Sequence, residues 1–443
     1  MVSDSKGRQA PIILISPDMR PSVMGVARSL MEAGLLERFV TTVAFNRSSG
    51  HGTSNSWASG ISGRLRRHTR GREIPDFLNV PVETFPVREL IRLAATRVGL
   101  NDVTCSRIWE WAETSFDRQV AATWAGRATC LYGCEHASVE SFKRQKAEGG
   151  YNVLWQVIAH HRTVYRLLRE EYEIFPDAVT ANQRHLFAIE PRINARKDEQ
   201  YALADLIVCN SEFSRQTFIE AGVPAHKLLA IPTGCPPVTA DASAPRQTLQ
   251  GAMVFLCAGS QSIRKGIPYL IEAWRRLQPA AQAELWLVGR MELPRRLLDG
   301  LPANMRIRPS VPRAELSQIF CRASVLVLPT LCEGLAHVVL EALAAGLAVI
   351  TTEHSGCGDL VEDGVNGWKV PIRNVDALAE SMQWCLDHPR EVGEMQRQSL
   401  TKARSWQEEA FMQAHTETIA NFLSRRKILD PEKFAMIQES HAG

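Results

Sequence analysis

The feature that most limits the fold of this chain is a twice-repeated order of short, wholly apolar runs, each followed by a segment of helical periodicity. PIILIS (11–16), the helical GVARSLMEAGL and then FVTTVAF open the first series. MVFLCAG, the amphipathic IPYLIEAWRRLQ and AELWLVGR open the second. A strand covered on both faces reads as a continuous apolar run, and a strand–helix–strand order closes as a right-handed crossover in a parallel sheet. Two such series imply two doubly wound α/β domains. Between them, PPVTADASAPRQTLQ (236–250) has no period and is rich in Pro, Ala, Ser and Thr, a linker composition. The expected division is a domain over 1–235, a linker over 236–250, a domain over 251–399 and a charged helical tail over 400–443.

At 443 residues, 45% hydrophobic and 22% charged, the chain has the material for two complete cores. A net charge of +3 gives no support to a nucleic-acid partner. The charge is unevenly placed: Arg64, Arg66, Arg67, His68, Arg70 and Arg72 lie in a Gly- and Ser-rich insertion over 47–80. Such a run is either a solvated loop or a surface for anionic lipid or a phosphorylated acceptor. The ten cysteines have no C-x-x-C spacing, and several fall in strand-like runs where a reduced thiol packs as a small hydrophobe. A reducing cytoplasm is the expected setting. No run reaches the 18 or so apolar residues of a spanning helix, so any membrane contact is expected to be peripheral, on the cytoplasmic face.

Chemistry concentrates in LPTLCEGLAHVVLEALAAGLAVITTEHSGCGDLVEDGVNG. Glu333 ends a loop after a buried strand. Glu341 follows eight positions later, about two turns along a helix expected to begin near Gly334 to His337. Gly334 and Leu335 sit where that helix starts, and a helix N-terminus presents unpaired N–H groups and partial positive charge to a diphosphate. The loop GSQSIRKG (259–266) follows the first strand of its domain, where a phosphate-binding turn is expected, and carries Gly259, Ser260, Arg264 and Lys265. A planar Arg fork and a Lys point charge both suit a leaving diphosphate. Gly356, Gly358 and Asp359 form a further loop able to hold phosphate or sugar hydroxyls. In the first half, His160 and His161 follow the buried run NVLWQVI, and His136 lies in YGCEHASVESF. Each is a candidate acid–base group, with capping or packing as the alternative.

The two glutamates, the intervening Gly, the Ala-x-Gly-x-x-Val-Ile continuation and the later Gly-x-Gly loop together resemble the donor site of the retaining glycosyltransferases of family 4, also called group 1. That resemblance implies a GT-B fold, two Rossmann-like domains facing across a cleft, with the donor on the second domain, the acceptor on the first and the terminal helices crossing back. It implies Glu333 at the transferred sugar and Glu341 at the ribose hydroxyls. Gly259 and Lys265 match the family's phosphate loop, whereas Ser260 stands where an Arg is usual, so Arg264 is expected to supply that charge. Asp359 stands in place of the family's usual Glu, and His160, ahead of His161 and His136, is expected near the acceptor. The implied reaction is retaining transfer of a hexosyl group from a nucleoside-diphosphate sugar to a glycan, lipid-linked or small-molecule hydroxyl. Neither a cofactor nor an obligatory metal is expected. A catalytically silent sugar-nucleotide binder and a sugar-nucleotide epimerase are the rival readings.

Overall fold

The structure is a computed structural model that describes residues 11–45, 72–238, 252–279 and 283–439. The linker expected over 236–250 therefore lies almost wholly outside the described residues, as do Arg64, Arg66, Arg67, His68 and Arg70. Arg72 is described and is engaged, donating to the Glu89 carboxylate and to Thr42 Oγ1.

Two sheets carry the fold. The first contains β1 (Ile12–Ile15), β2 (Leu36–Thr41), β3 (Val82–Thr84), β4 (Cys130–Cys134), β5 (Tyr151–Gln156), β6 (Leu206–Cys209) and β7 (Leu228–Ala230), in the order β3-β2-β1-β4-β5-β6-β7. The second contains β8 (Met253–Ala258), β9 (Ala283–Val288), β10 (Met305–Arg308), β11 (Val325–Leu328), β12 (Ala348–Thr351) and β13 (Gly367–Lys369), in the order β10-β9-β8-β11-β12-β13. Every pairing in the second sheet is parallel. So are β1 with β2 and β4, β2 with β3, and β4 with β5. In each sheet the order reverses once, between β1 and β4 and between β8 and β11. At such a reversal neighbouring strand-end loops diverge and leave a crevice for a ligand.

The local reasons follow the sequence. In the helix Ile267–Leu277, Ile267, Leu270, Ile271 and Trp274 recur at helical spacing and are all buried, each worth about 1.5–3 kcal/mol of burial. Ser211 caps the helix Glu212–Glu220 by accepting from the Ser214 amide at 3.0 Å. Asn374 caps Val375–Asp387 by accepting from the Ala377 amide at 2.9 Å.

The described residues fall into two compact units, one within Met1–Gln156, Ala181–Val208 and Met412–Gly443, the other within Val157–Thr180 and Cys209–Phe411. These limits differ from the expected boundaries at 235 and 400. One reason is visible in the second unit: Glu171, on the helix His161–Ile174, accepts from Tyr269 Oη at 2.9 Å and from Arg373 Nε at 2.5 Å. That buried carboxylate ties the segment after β5 to residues distant in sequence, a link that hydrophobic periodicity does not register. In the first unit, His415 fills the matching role. Its Nδ1 lies 2.6 Å from Ser29 Oγ and its Nε2 lies 2.8 Å from Tyr132 Oη, all buried.

Candidate functional site

The reversal between β8 and β11 is where the expected residues converge. The loop leaving β8 begins at Gly259, whose φ of 119° is a backbone conformation that side-chain-bearing residues rarely adopt, and whose side-chain direction opens onto empty space. Gln261 braces this turn, its amide donating to Gly259 O at 2.8 Å and Val288 O at 3.2 Å. The loop leaving β11 is stitched to it, since Leu331 N–H donates to Arg264 O at 2.9 Å and Thr330 Oγ1 to the same carbonyl at 3.2 Å.

This stitching brings both cations onto one carboxylate. Glu333 Oε1 lies 2.5 Å from Arg264 Nη1 and 2.7 Å from Lys265 Nζ. Arg264 also donates to Cys332 O at 2.8 Å. Burial alone would raise the Glu333 carboxyl, but the charges and hydrogen bonds of Arg264 and Lys265 outweigh it and leave it below the ordinary carboxylate range. Burial disfavours the Arg264 cation too, yet Glu333 more than offsets this and raises its pKa. Ser260, where the resemblance expects an Arg, makes no hydrogen bond among the described residues, and Arg264 is the Arg of this loop that meets Glu333.

The helix after Glu333 starts at His337, later than its earliest expected start, because the preceding residues bond to the short turn Glu353–Ser355. Glu333 N–H donates to His354 O at 2.8 Å and Ala336 N–H to Ser355 O at 2.9 Å. The amides of Gly334 and Leu335 between them make no hydrogen bond among the described residues, which leaves two donors for an anion. Glu341 consequently sits one turn into the helix rather than two. Burial raises its carboxyl, opposed by Arg313.

Gly334 is required by close approach. A Cβ there would stand 1.9 Å from Val157 O and 2.8 Å from Asn210 Oδ1, while Ser211 Oγ donates to Gly334 O at 2.5 Å. Val157, Asn210 and Ser211 had no local signal as site residues. Gly356 and Gly358 follow the Glu353–Ser355 turn, and Asp359 makes no hydrogen bond among the described residues.

The histidines separate. His160 is 1% exposed and caps the helix His161–Ile174, its Nδ1 accepting from Arg162 N–H at 3.2 Å. Its own N–H donates to Thr217 Oγ1 at 2.9 Å, and its ring packs on His161 and Phe218. His136 belongs to the other unit, in the turn after β4.

Two doubly wound parallel sheets, the second with two cations, a carboxylate and two unbonded amides at its reversal, make up a GT-B fold. Residues 252–388 match the family model described as glycosyl transferases group 1. The amylovoran biosynthesis glycosyltransferase AmsK of Erwinia amylovora is 29% identical over 191 residues, 40% of this chain and 47% of that protein. The MMP alpha-(1->4)-mannosyltransferase of Mycolicibacterium hassiacum is 26% identical over 215 residues, 46% of this chain and 51% of that protein. This chain thus spans about half the length of these curated relatives. Among solved structures, a UDP-forming alpha,alpha-trehalose-phosphate synthase from Burkholderia vietnamiensis shares the fold, with a TM-score of 0.63 over 96% of this chain and 100% of that one at 12% identity. Among the described residues no helix is long and apolar enough to cross a membrane.

Proposed function

We propose that the chain is a retaining glycosyltransferase that moves a hexosyl group from a nucleoside-diphosphate sugar to a carbohydrate hydroxyl. The observation that carries the reading is the pairing of Arg264 and Lys265 on Glu333 beside the free amides of Gly334 and Leu335. A diphosphate leaving group needs fixed positive charge as the bond to the sugar breaks, and preorganised donors in a water-poor site supply it most effectively. In the reaction, the bond from the anomeric carbon to the phosphate oxygen breaks with its electron pair remaining on the diphosphate. The acceptor hydroxyl bonds to that carbon from the same face and its proton passes to the departing phosphate oxygen. Glu333 lies beside the cations and faces the sugar, and Glu341 receives the ribose hydroxyls. Relatives named for amylovoran biosynthesis and for mannosyl transfer support hexosyl transfer to a glycan.

Two protein cations and two amides do the work that a divalent ion does at other diphosphate sites, so turnover is independent of added metal. The test is release of nucleoside diphosphate from UDP-, GDP- and ADP-hexoses, with and without EDTA. Release that survives EDTA and disappears in Glu333→Ala, with nucleotide binding retained, is the expected result. Binding without turnover in the unmodified protein would establish a silent binder instead, and epimerised donor without acceptor would establish an epimerase.

A further inference from the structure

The first compact unit carries an outward apolar face on the helix Pro86–Arg97 and on the helix Asp102–Thr123 that follows it. Val87, Ile91, Ala94 and Val98 recur at i, i+4, i+7 and i+11, the spacing of one helix face, and all four are exposed. Val87 is 69% exposed and Val98 74%. Leu100 in the connecting turn is exposed too, and Trp111 on the second helix is 45% exposed. The inward sides are different ones, burying Glu89 and Ala95 of the first helix and Ala112, Phe116 and Val120 of the second. The pair is well tied. Phe85 and Phe116 meet edge to face at 6.2 Å, Val98 N–H donates to Ala94 O at 3.1 Å, and Asn101 caps the second helix by accepting from Thr104 N–H at 2.9 Å. The exposed row therefore belongs to a formed helix pair, and a clustered apolar surface of this kind marks an interaction site.

Arginines border the row. Arg88 lies over the Trp111 ring at 5.6 Å, joining the two helices on this face. Arg97 is exposed in the last turn of the first helix, and Arg107 and Arg118 are exposed one turn before and two turns after Trp111. The side chains of Arg97, Arg107 and Arg118 make no hydrogen bond or ion pair among the described residues. The neighbouring carboxylates are turned away or engaged. Glu89 is buried and accepts from Arg72 and, at 2.6 Å, from Arg92. Glu110 accepts from Arg192 at 2.7 Å and buried Asp117 from Arg196 at 2.6 Å. Glu113, two residues after Trp111, projects from the other side of its helix. Asp102, in the first turn of its helix, is the one exposed carboxylate of residues 86–123.

We infer that this face docks on a bilayer carrying anionic phospholipid. Aliphatic side chains in a row along a helix enter the boundary between headgroups and acyl chains, where a Trp ring is also favoured. Arginines beside the row lay their stems on the apolar surface and keep their guanidinium groups at the headgroup phosphates. A second copy would bring the same arginines to the contact with Asp102 as their exposed counterpart, a poor complement. A fluid layer of anionic headgroups answers arginines at any spacing. The inference concerns where the chain works and does not depend on the glycosyltransferase reading.

Flotation of the full chain with vesicles tests it, comparing phosphatidylcholine alone with equal parts phosphatidylcholine and phosphatidylglycerol. The chain is expected to float with the anionic vesicles and to stay behind with the neutral ones. Ile91→Asp with Val98→Asp should weaken vesicle binding at least about tenfold, the loss of two inserting side chains. Arg97→Gln and Arg107→Gln should each weaken it about fivefold. All four positions are exposed, so an unchanged Tm is expected and separates lost docking from lost folding. No flotation with anionic vesicles, or equal flotation with neutral ones, would overturn the inference. So would binding that survives Ile91→Asp with Val98→Asp, which would place the contact elsewhere in the chain. Sedimentation showing a dimer that this double substitution dissociates, with no vesicle binding, would assign the face to a second copy instead.

Discussion

Arg264 Nη1 lies 2.5 Å from Glu333 Oε1, a charge pair that joins the loop after β8 to the loop after β11. Truncating Arg264 leaves a buried carboxylate with Lys265 as its one remaining cation among the described residues and removes the planar fork from the proposed diphosphate site. Arg264→Ala is expected to lower kcat/KM at least about 100-fold, the scale of losing one transition-state donor. Arg264→Lys is expected to recover only part of this, because Lys has no fork. The pair also sets a pH dependence. The Glu333 pKa is depressed in the folded chain, so its stabilisation is complete above the ordinary value of 4.5 and is lost as pH falls through the lower folded value. Thermal melts of the native chain and Glu333→Gln from neutral pH downward check this: the gap between them should close only below pH 4.5.

Gly334→Ala forces a methyl group to within 1.9 Å of Val157 O, where both sides are backbone and neither yields cheaply. The expected cost is about 1–3 kcal/mol of overpacking, seen as a lower Tm, together with weaker nucleotide binding as the amides of Gly334 and Leu335 shift. Gly393→Ala serves as the control, since nothing lies within 4 Å of its side-chain position.

Glu341 as a ribose partner makes a prediction that a merely structural helix residue does not. The native chain should bind UDP, GDP or ADP more tightly than the matching 2′-deoxynucleotide, and Glu341→Ala should abolish that preference. A hydrogen bond to a charged group is worth about 1.5–3 kcal/mol, so the native preference is expected to be about tenfold or more by calorimetry.

His415 is buried between Ser29 and Tyr132, and burial lowers its pKa to about 3. Between that value and 6.5 the unfolded chain binds a proton that the folded chain does not, so stability falls as pH falls through this window. The slope is about 1.4 kcal/mol per pH unit for one such group. Urea unfolding from pH 7 to pH 5 should show it, and His415→Gln should flatten the profile by one proton while lowering stability at neutral pH. His136, held at about 4, contributes a second proton of the same sign.

What the amino-acid sequence determined by itself was whatever short-range physics writes locally. Two series of apolar runs with helical segments specify two parallel sheets, because a strand buried on both faces has no polar alternation. Glu333 to Glu341 with the Gly259–Lys265 loop marks the half proposed to hold the donor. The start of the helix at His337 falls at the end of the expected range Gly334 to His337, and the carbonyls of His354 and Ser355, accepting the Glu333 and Ala336 amides, fix it there. For His160 the alternative of capping and packing was stated beside the acceptor role, and its partners Arg162, Thr217 and Phe218 came from tertiary structure. Tertiary structure alone decided which partners commit each cation. A Lys or Arg reads as free charge in sequence, and only distance shows whether a carboxylate has already neutralised it.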